Sequence, residues 1–213
     1  MSGPNQSGGA AAGLFLLADI SGYTGFLQAV GTAHRDDAFA NGQVPPAYPL
    51  MSTLLEGIIG RLVPPFTLSK LEGDAVFAFA VDPDEVPRDA AVLPFLQATY
   101  DAFRAQLAAL EQALTCRCDA CSRGAALDLK FVLHAGGFVM QSIGGGRELV
   151  GPDVVMAHRL LKNGGAALLG HAAYALLTDA AVARLQVPVT GSAAMTETYD
   201  HYAPIEVRLF PLR

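Results

Sequence analysis

Two aspartates stand in this sequence where a carboxylate can do chemistry. Asp19 closes the apolar run at residues 14–20, just before Ser21-Gly22, and Asp74 lies in the Glu72-Gly73-Asp74 link between two further apolar runs. An ionised carboxylate buried without a partner is costly, so each acid belongs at a polar strand end or in a site. Carboxylates at the strand end and hairpin tip of one sheet can converge. Such a pair supplies hard oxygen ligands for Mg²⁺ or Mn²⁺ and, through the ion, for a polyphosphate. Spacing alone leaves a reading of equal weight, in which both are turn-forming and capping acids.

A second cluster has softer ligands. Cys116, Cys118 and Cys121 form a CxCxxC motif, and three thiolates with one imidazole complete a tetrahedral Zn²⁺ site. The fourth ligand is not evident, since His134, His158 and His201 are distant in sequence. Gly144-Gly145-Gly146 does not open a helix directly and reads as a hairpin tip rather than a phosphate cradle.

The elements that must position these residues follow from hydrophobic period. Residues 14–20 read as a buried strand entering a tight turn, and residues 24–30 as the start of a helix. A polar, proline-bearing stretch at residues 32–49 interrupts that helix. It resumes over residues 50–62, with Leu54, Leu55, Ile58, Ile59 and Leu62 as its apolar stripe. Residues 66–71 and 75–81 are paired strands whose turn carries Asp74. A long helical pattern covers residues 87–115, with Pro94 as a kink or restart, and the cysteines end it. Residues 127–133 alternate, with Leu127, Leu129, Phe131 and Leu133 on one face. Residues 138–143 are their expected partner across a Gly136-Gly137 turn. Gly151-Pro152-Asp153 opens a helix through Leu161, a further helix is expected over 171–185, and residues 196–212 supply the last strand material.

Composition bounds what this arrangement can be. The chain has 213 residues, 52% hydrophobic and 16% charged, enough apolar content for one substantial core and far from a disordered composition. Residues 1–12 read as a loose tail and 13–213 as one domain, with no internal repeat or dividing linker. The formal charge of −6 has the wrong sign for general nucleic-acid or anionic-membrane binding. No window offers the roughly 20 apolar residues that cross a bilayer. The opening lacks a secretory signal pattern, and three clustered cysteines give no long-range disulfide framework, so a reducing cytoplasm fits best.

The local sequences carry a resemblance. LFLLADISGYTGF (14–26) resembles the first metal-binding signature of class III nucleotidyl cyclases, and SKLEGDAVFAF (69–79) resembles the second. The third segment, FVLHAGGFVMQSIGGGRELVGPDVVMAHRLLKN (131–163), is similar to the stretch that completes the cyclase site. The order is the expected one, and a closer similarity covering nearly the whole chain, CxCxxC included, is to a bacterial family of cyclase-like proteins of unknown function.

This resemblance implies an α/β fold (an α+β sandwich), ferredoxin-like at its centre, with a mainly antiparallel sheet and helices packed on it. It makes Asp19 and Asp74 the metal acids and Lys70 the purine-reading lysine. Glu148 falls where cyclases place an aspartate or threonine that accepts from the base. Arg159 matches the arginine that contacts the triphosphate. Val155 departs from the pattern, standing where an asparagine orients the ribose and supports the transition state. The expected activity is therefore metal-dependent binding of ATP or GTP, with weak or absent cyclisation. The resemblance also implies a symmetric homodimer whose metal acids and purine-reading residues come from opposite subunits. An inactive cyclase-fold sensor or interaction module, and a metal protein organised by the cysteines, are the competing readings.

Overall fold

Leu14, Phe15, Leu16, Leu17 and Ala18 are all fully buried, which is the mark of a strand covered on both faces. The computed structural model describes residues 9–36, 41–45, 47–81 and 83–213, so residues 1–8 of the expected tail and part of the 32–49 stretch lie outside the described residues. Strand β1 (Ala10–Ser21) starts before the apolar run and takes in Ala10–Ala12, residues read from sequence as tail, because β4 (Asp128–Ile143) is long enough to pair with them.

The sheet order is β2 (Thr67–Glu72), β3 (Ala75–Ala80), β1, β4, β6 (Tyr174–Thr178), β8 (Ile205–Pro211) and β7 (Ala193–Glu197), with β5 (Gly146–Val150) paired to the far part of β4. The pairings are antiparallel except β4 with β6. One face of β1, through Leu14, Leu16, Ala18 and Ile20, packs under α1 (Tyr23–Ala33), α2 (Tyr48–Leu62) and α3 (Val92–Ala113). Leu127, Leu129, Phe131 and Leu133 join that core, as their alternation requires. Phe15 and Leu17 face the other way, against Val154, Met156 and Ala157 of a helix at Pro152–Arg159. The result is the mixed α+β architecture expected from sequence, an eight-stranded sheet with helices on it.

Three local expectations are corrected. Gly136-Gly137 is not a turn: β4 runs straight through it, and the hairpin closes at Gly144-Gly145. Both of those glycines have positive φ, 60° and 85°, the requirement of a two-residue type I′ turn. Gly136 serves close approach, since a Cβ there would overlap Asp153, whose Oδ2 accepts from the Gly137 N–H at 2.6 Å. Residues 171–185 are not one helix. Tyr174–Thr178 is a five-residue strand flanked by β4 and β8, too short for periodicity to separate strand from helix. The Thr178 side chain then caps the helix Asp179–Leu185 by accepting from the Ala181 N–H. Pro94 neither kinks nor restarts α3, because it lies in the first turn, where its missing N–H is not needed. No helix of the described residues is long and apolar enough to cross a membrane.

The close approach at Gly136 is open to test. Gly136→Ala should destabilise the fold by about 1–3 kcal/mol through overpacking. Gly146→Ala, whose added Cβ meets nothing nearer than 3.7 Å, should stay within about 0.5 kcal/mol of the parent in denaturant titrations. Equal stabilities for the two variants would remove the role assigned to Asp153.

Candidate functional site

Strand register places the acids. Asp19 lies opposite Ala75 on β3 and opposite Lys130 on β4, so Asp74, at the tip of the β2–β3 hairpin, comes to the same end of the sheet. Gly22, with φ 89°, lets the chain turn from β1 straight into α1, and the first turn of α1 forms one wall of a cleft of about 470 Å³. Asp19, Asp74, Glu72, Lys130 and Lys162 line it.

Within this lining Lys130 is the cation paired directly with Asp19, and Asp74 lies in the field of both. Lys130 Nζ lies 3.0 Å from Asp19 Oδ2, each side chain 16% exposed, and donates to the Leu161 carbonyl at 2.9 Å. Burial, and then the Asp19 charge, push the Asp74 carboxyl above the ordinary range, against the pull of its own backbone N–H and of Lys130. A second cation would relieve that repulsion, so the donor set fits a divalent ion bound by hard oxygens.

The other cyclase-like positions, Lys70, Glu148, Val155 and Arg159, do not themselves line the cleft, although Lys70 reaches Glu72, which does. Lys70 donates to Glu148 Oε2 at 3.0 Å and lies 3.4 Å from Glu72 Oε1; the hydrogen bond to Glu148 is the main cause holding the Lys70 ammonium above its usual range. Glu72 Oε2 lies 2.9 Å from His158 Nδ1, and burial holds that imidazole below its ordinary value in spite of the carboxylate. The Arg159 guanidinium sits over the Tyr202 ring at 5.6 Å. Val155, one helical turn before Arg159, is 46% exposed. Asn163 cannot stand in for the missing asparagine as it lies: its Nδ2 donates to the Leu160 carbonyl, and its Oδ1 accepts from Gly165 N–H and Tyr174 O–H.

The cysteines do meet, and they meet a residue that sequence reasoning missed. His34, just past the end of α1, brings Nε2 to 3.7 Å from Cys116 Sγ, 3.4 Å from Cys118 Sγ and 3.3 Å from Cys121 Sγ. Its separation of 82 residues from Cys116 left no local signal. Among the cysteines, the backbone N–H of Cys121 is the main cause lowering the Cys118 thiol to about 6, while burial pushes Cys121 up to about 12. Lys130 was also missed; its signal is a lone cation facing away from the leucines of a strand buried on both sides.

Comparison with known proteins places this geometry in context. Residues 51–166 match the family described as "Protein of unknown function (DUF2652)". The uncharacterized protein Rv2561/Rv2562 of Mycobacterium tuberculosis (strain ATCC 25618 / H37Rv) is 30% identical over 169 residues, 76% of each chain. Among solved structures, the guanylyl cyclase Cya2 is similar with a TM-score of 0.59 at 14% identity, covering 96% of this chain and 94% of its own. The catalytic core of a rhodopsin-guanylyl cyclase with converted specificity, in complex with ATPalphaS, gives 0.52 at 15% identity, covering 98% and 99%. The fold is that of the adenylyl and guanylyl cyclase domains.

The internal ion pair makes a measurable claim. Lys130→Met keeps the aliphatic stem and leaves two acids facing each other, so unfolding free energy should drop by about 3 kcal/mol, the low end for a buried pair. Adding Asp19→Asn should recover part of that loss in a double-mutant cycle. Strictly additive losses by chemical denaturation would show that the contact carries no stability.

Proposed function

The chain belongs to the DUF2652 family, and we propose that it binds a purine nucleoside triphosphate together with Mg²⁺ or Mn²⁺ and cyclises it weakly or not at all. The observation that carries this reading is the convergence of Asp19 and Asp74 on one cleft walled by the first turn of α1. The first N–H groups of a helix have no intrahelical acceptor and carry the positive end of its dipole, so that wall suits phosphate oxygens. Asp19 and Asp74 would hold the divalent ion, which would supply charge neutralisation for the phosphates and, in a working cyclase, a more acidic ribose 3′-hydroxyl.

Lys70 and Glu148 set an ammonium donor beside a carboxylate acceptor, the complement of a purine edge that offers an acceptor next to an N–H. Arg159 would meet the triphosphate as charge builds. Lys70, Glu148 and Arg159 do not themselves line the acid cleft, and a symmetric homodimer would complete two composite sites, each taking its acids from one subunit and its purine reader from the other. Weak turnover follows from Val155, whose side chain neither donates nor accepts. Loss of one such preorganised group costs about 10²–10³ in rate. The second reading, an inactive cyclase-fold sensor or interaction module, is favoured by the Lys130 ammonium already seated at Asp19.

Calorimetry with ATP and GTP tests the proposal. Binding should require Mn²⁺ or Mg²⁺, and Asp74→Ala should abolish the metal-dependent part. Light scattering should report a dimer, and mixing Asp74→Ala with Lys70→Ala subunits should restore one intact site per heterodimer. Cyclic nucleotide formation should rise in Val155→Asn. Unchanged metal-dependent affinity in Asp74→Ala would remove the acid site, and a strictly monomeric protein that binds nucleotide would remove the shared one.

A further inference from the structure

Three sulfur atoms converge on a single imidazole nitrogen. His34 Nε2 lies 3.3 to 3.7 Å from the Sγ atoms of Cys121, Cys118 and Cys116. A ring nitrogen offers one N–H or one lone pair, so it cannot hydrogen-bond all three sulfurs. A disulfide does not account for the group either, because any pairing of three thiols leaves one over. What the four atoms share is a common centre.

The dimensions identify that centre. With Zn–S about 2.3 Å and Zn–N about 2.0–2.1 Å, a tetrahedral ion sets its nitrogen about 3.6 Å from each sulfur. The three observed distances bracket this value, and all four ligand atoms lie within 4.8 Å of one another. Cys121 is buried and the other three residues are partly so, with Cys116 and Cys118 packed against the main core. The Cys121 N–H points at Cys118 Sγ at 3.5 Å, a charge-stabilising contact for a thiolate. Four protein ligands leave no open position for water or substrate, which distinguishes a structural site from a catalytic one.

We infer that Cys116, Cys118, Cys121 and His34 bind one Zn²⁺ as a closed structural site that clamps the C-terminal end of α1 to the connection between α3 and β4. That connection, residues 114–127, contains only the short helix Asp119–Ser122 and one 3₁₀ turn, so a cross-link from a distant helix supplies order that local structure does not. Tetrahedral sulfur-rich ligation selects zinc over the hard cations suited to the acid cleft.

The site is tested independently of nucleotide binding. Protein purified without added metal should contain about one zinc per chain by elemental analysis, and a mercurial that caps thiols should release it stoichiometrically. Cobalt exchange should give the intense visible bands of tetrahedral coordination with thiolate charge transfer. His34→Ala and Cys118→Ser should lower zinc retention against a chelator by more than the about 10–100-fold typical of an outer-shell change. Asp74→Ala should keep its zinc in full, so loss of nucleotide binding and loss of this site remain separate results. Should the variants not fold, the wild-type metal content and mercurial release still decide. Less than a tenth of an equivalent of zinc in native protein, iron in its place, or three thiols that react at once with and without chelator would overturn the assignment.

Discussion

Asp19 is held in register from both sides, by Ala75 on β3 and Lys130 on β4, and the rest of the site depends on that double pairing. Along β1 the residues alternate between two buried faces, and Asp19 falls on the face of Phe15 and Leu17. Lys130 falls on the matching face of β4, two residues before Val132. A slip of one residue would turn Asp19 toward the helical core under α1 and carry Phe15 with it. The apolar stripes that fix the sheet therefore also fix the ion pair, and no separate positioning device is needed.

The pairing leaves an unbalanced charge. Lys130 is the one cation paired with Asp19, and burial, followed by the Asp19 charge, raises the affinity of Asp74 for a proton. A further cation would relieve that repulsion, which is the physical reason these donors suit a hard divalent ion. Lys130 adds a second constraint by donating to the Leu161 carbonyl, just beyond the helix that carries Val155 and Arg159. The acid pair and the end of that helix are thus tied within one chain.

Legibility in the sequence tracked the range of the interaction. The first strand, the acid at the β2–β3 tip and the face shared by Leu127, Leu129, Phe131 and Leu133 were readable because each depends on a local pattern: a continuous apolar run, a short polar link between two such runs, and alternation. Gly136-Gly137 misled because glycine marks close backbone approach as well as turns, and Asp153, the group that approaches, lies 16 residues away. Tyr174–Thr178 misled because pairing with two neighbours, β4 and β8, outweighed a helical context. Lys70 and Glu148 were singled out only through resemblance, and their mutual contact, spanning 78 residues, was not read from sequence because β5 had no recognisable pattern of its own. His34 was not legible at all, because sequence cannot report which end of a helix meets a distant loop.

That helix joins the two candidate sites. α1 has 11 residues, about 16 Å of rise, and buries only Phe26 and Val30 fully. Helices shorter than about 12–15 residues are marginal on their own in water, so α1 relies on its ends. Its N-terminal end has no side-chain cap and opens from Gly22 onto the acid cleft, while its C-terminal end delivers His34 to three sulfurs. Anchoring the second end restricts how far the first can move, since a short helix transmits displacement as a rigid rod. The cysteine cluster lies far from Asp19 in sequence and in chemistry, yet it acts on the same element that any phosphate in the cleft would have to meet.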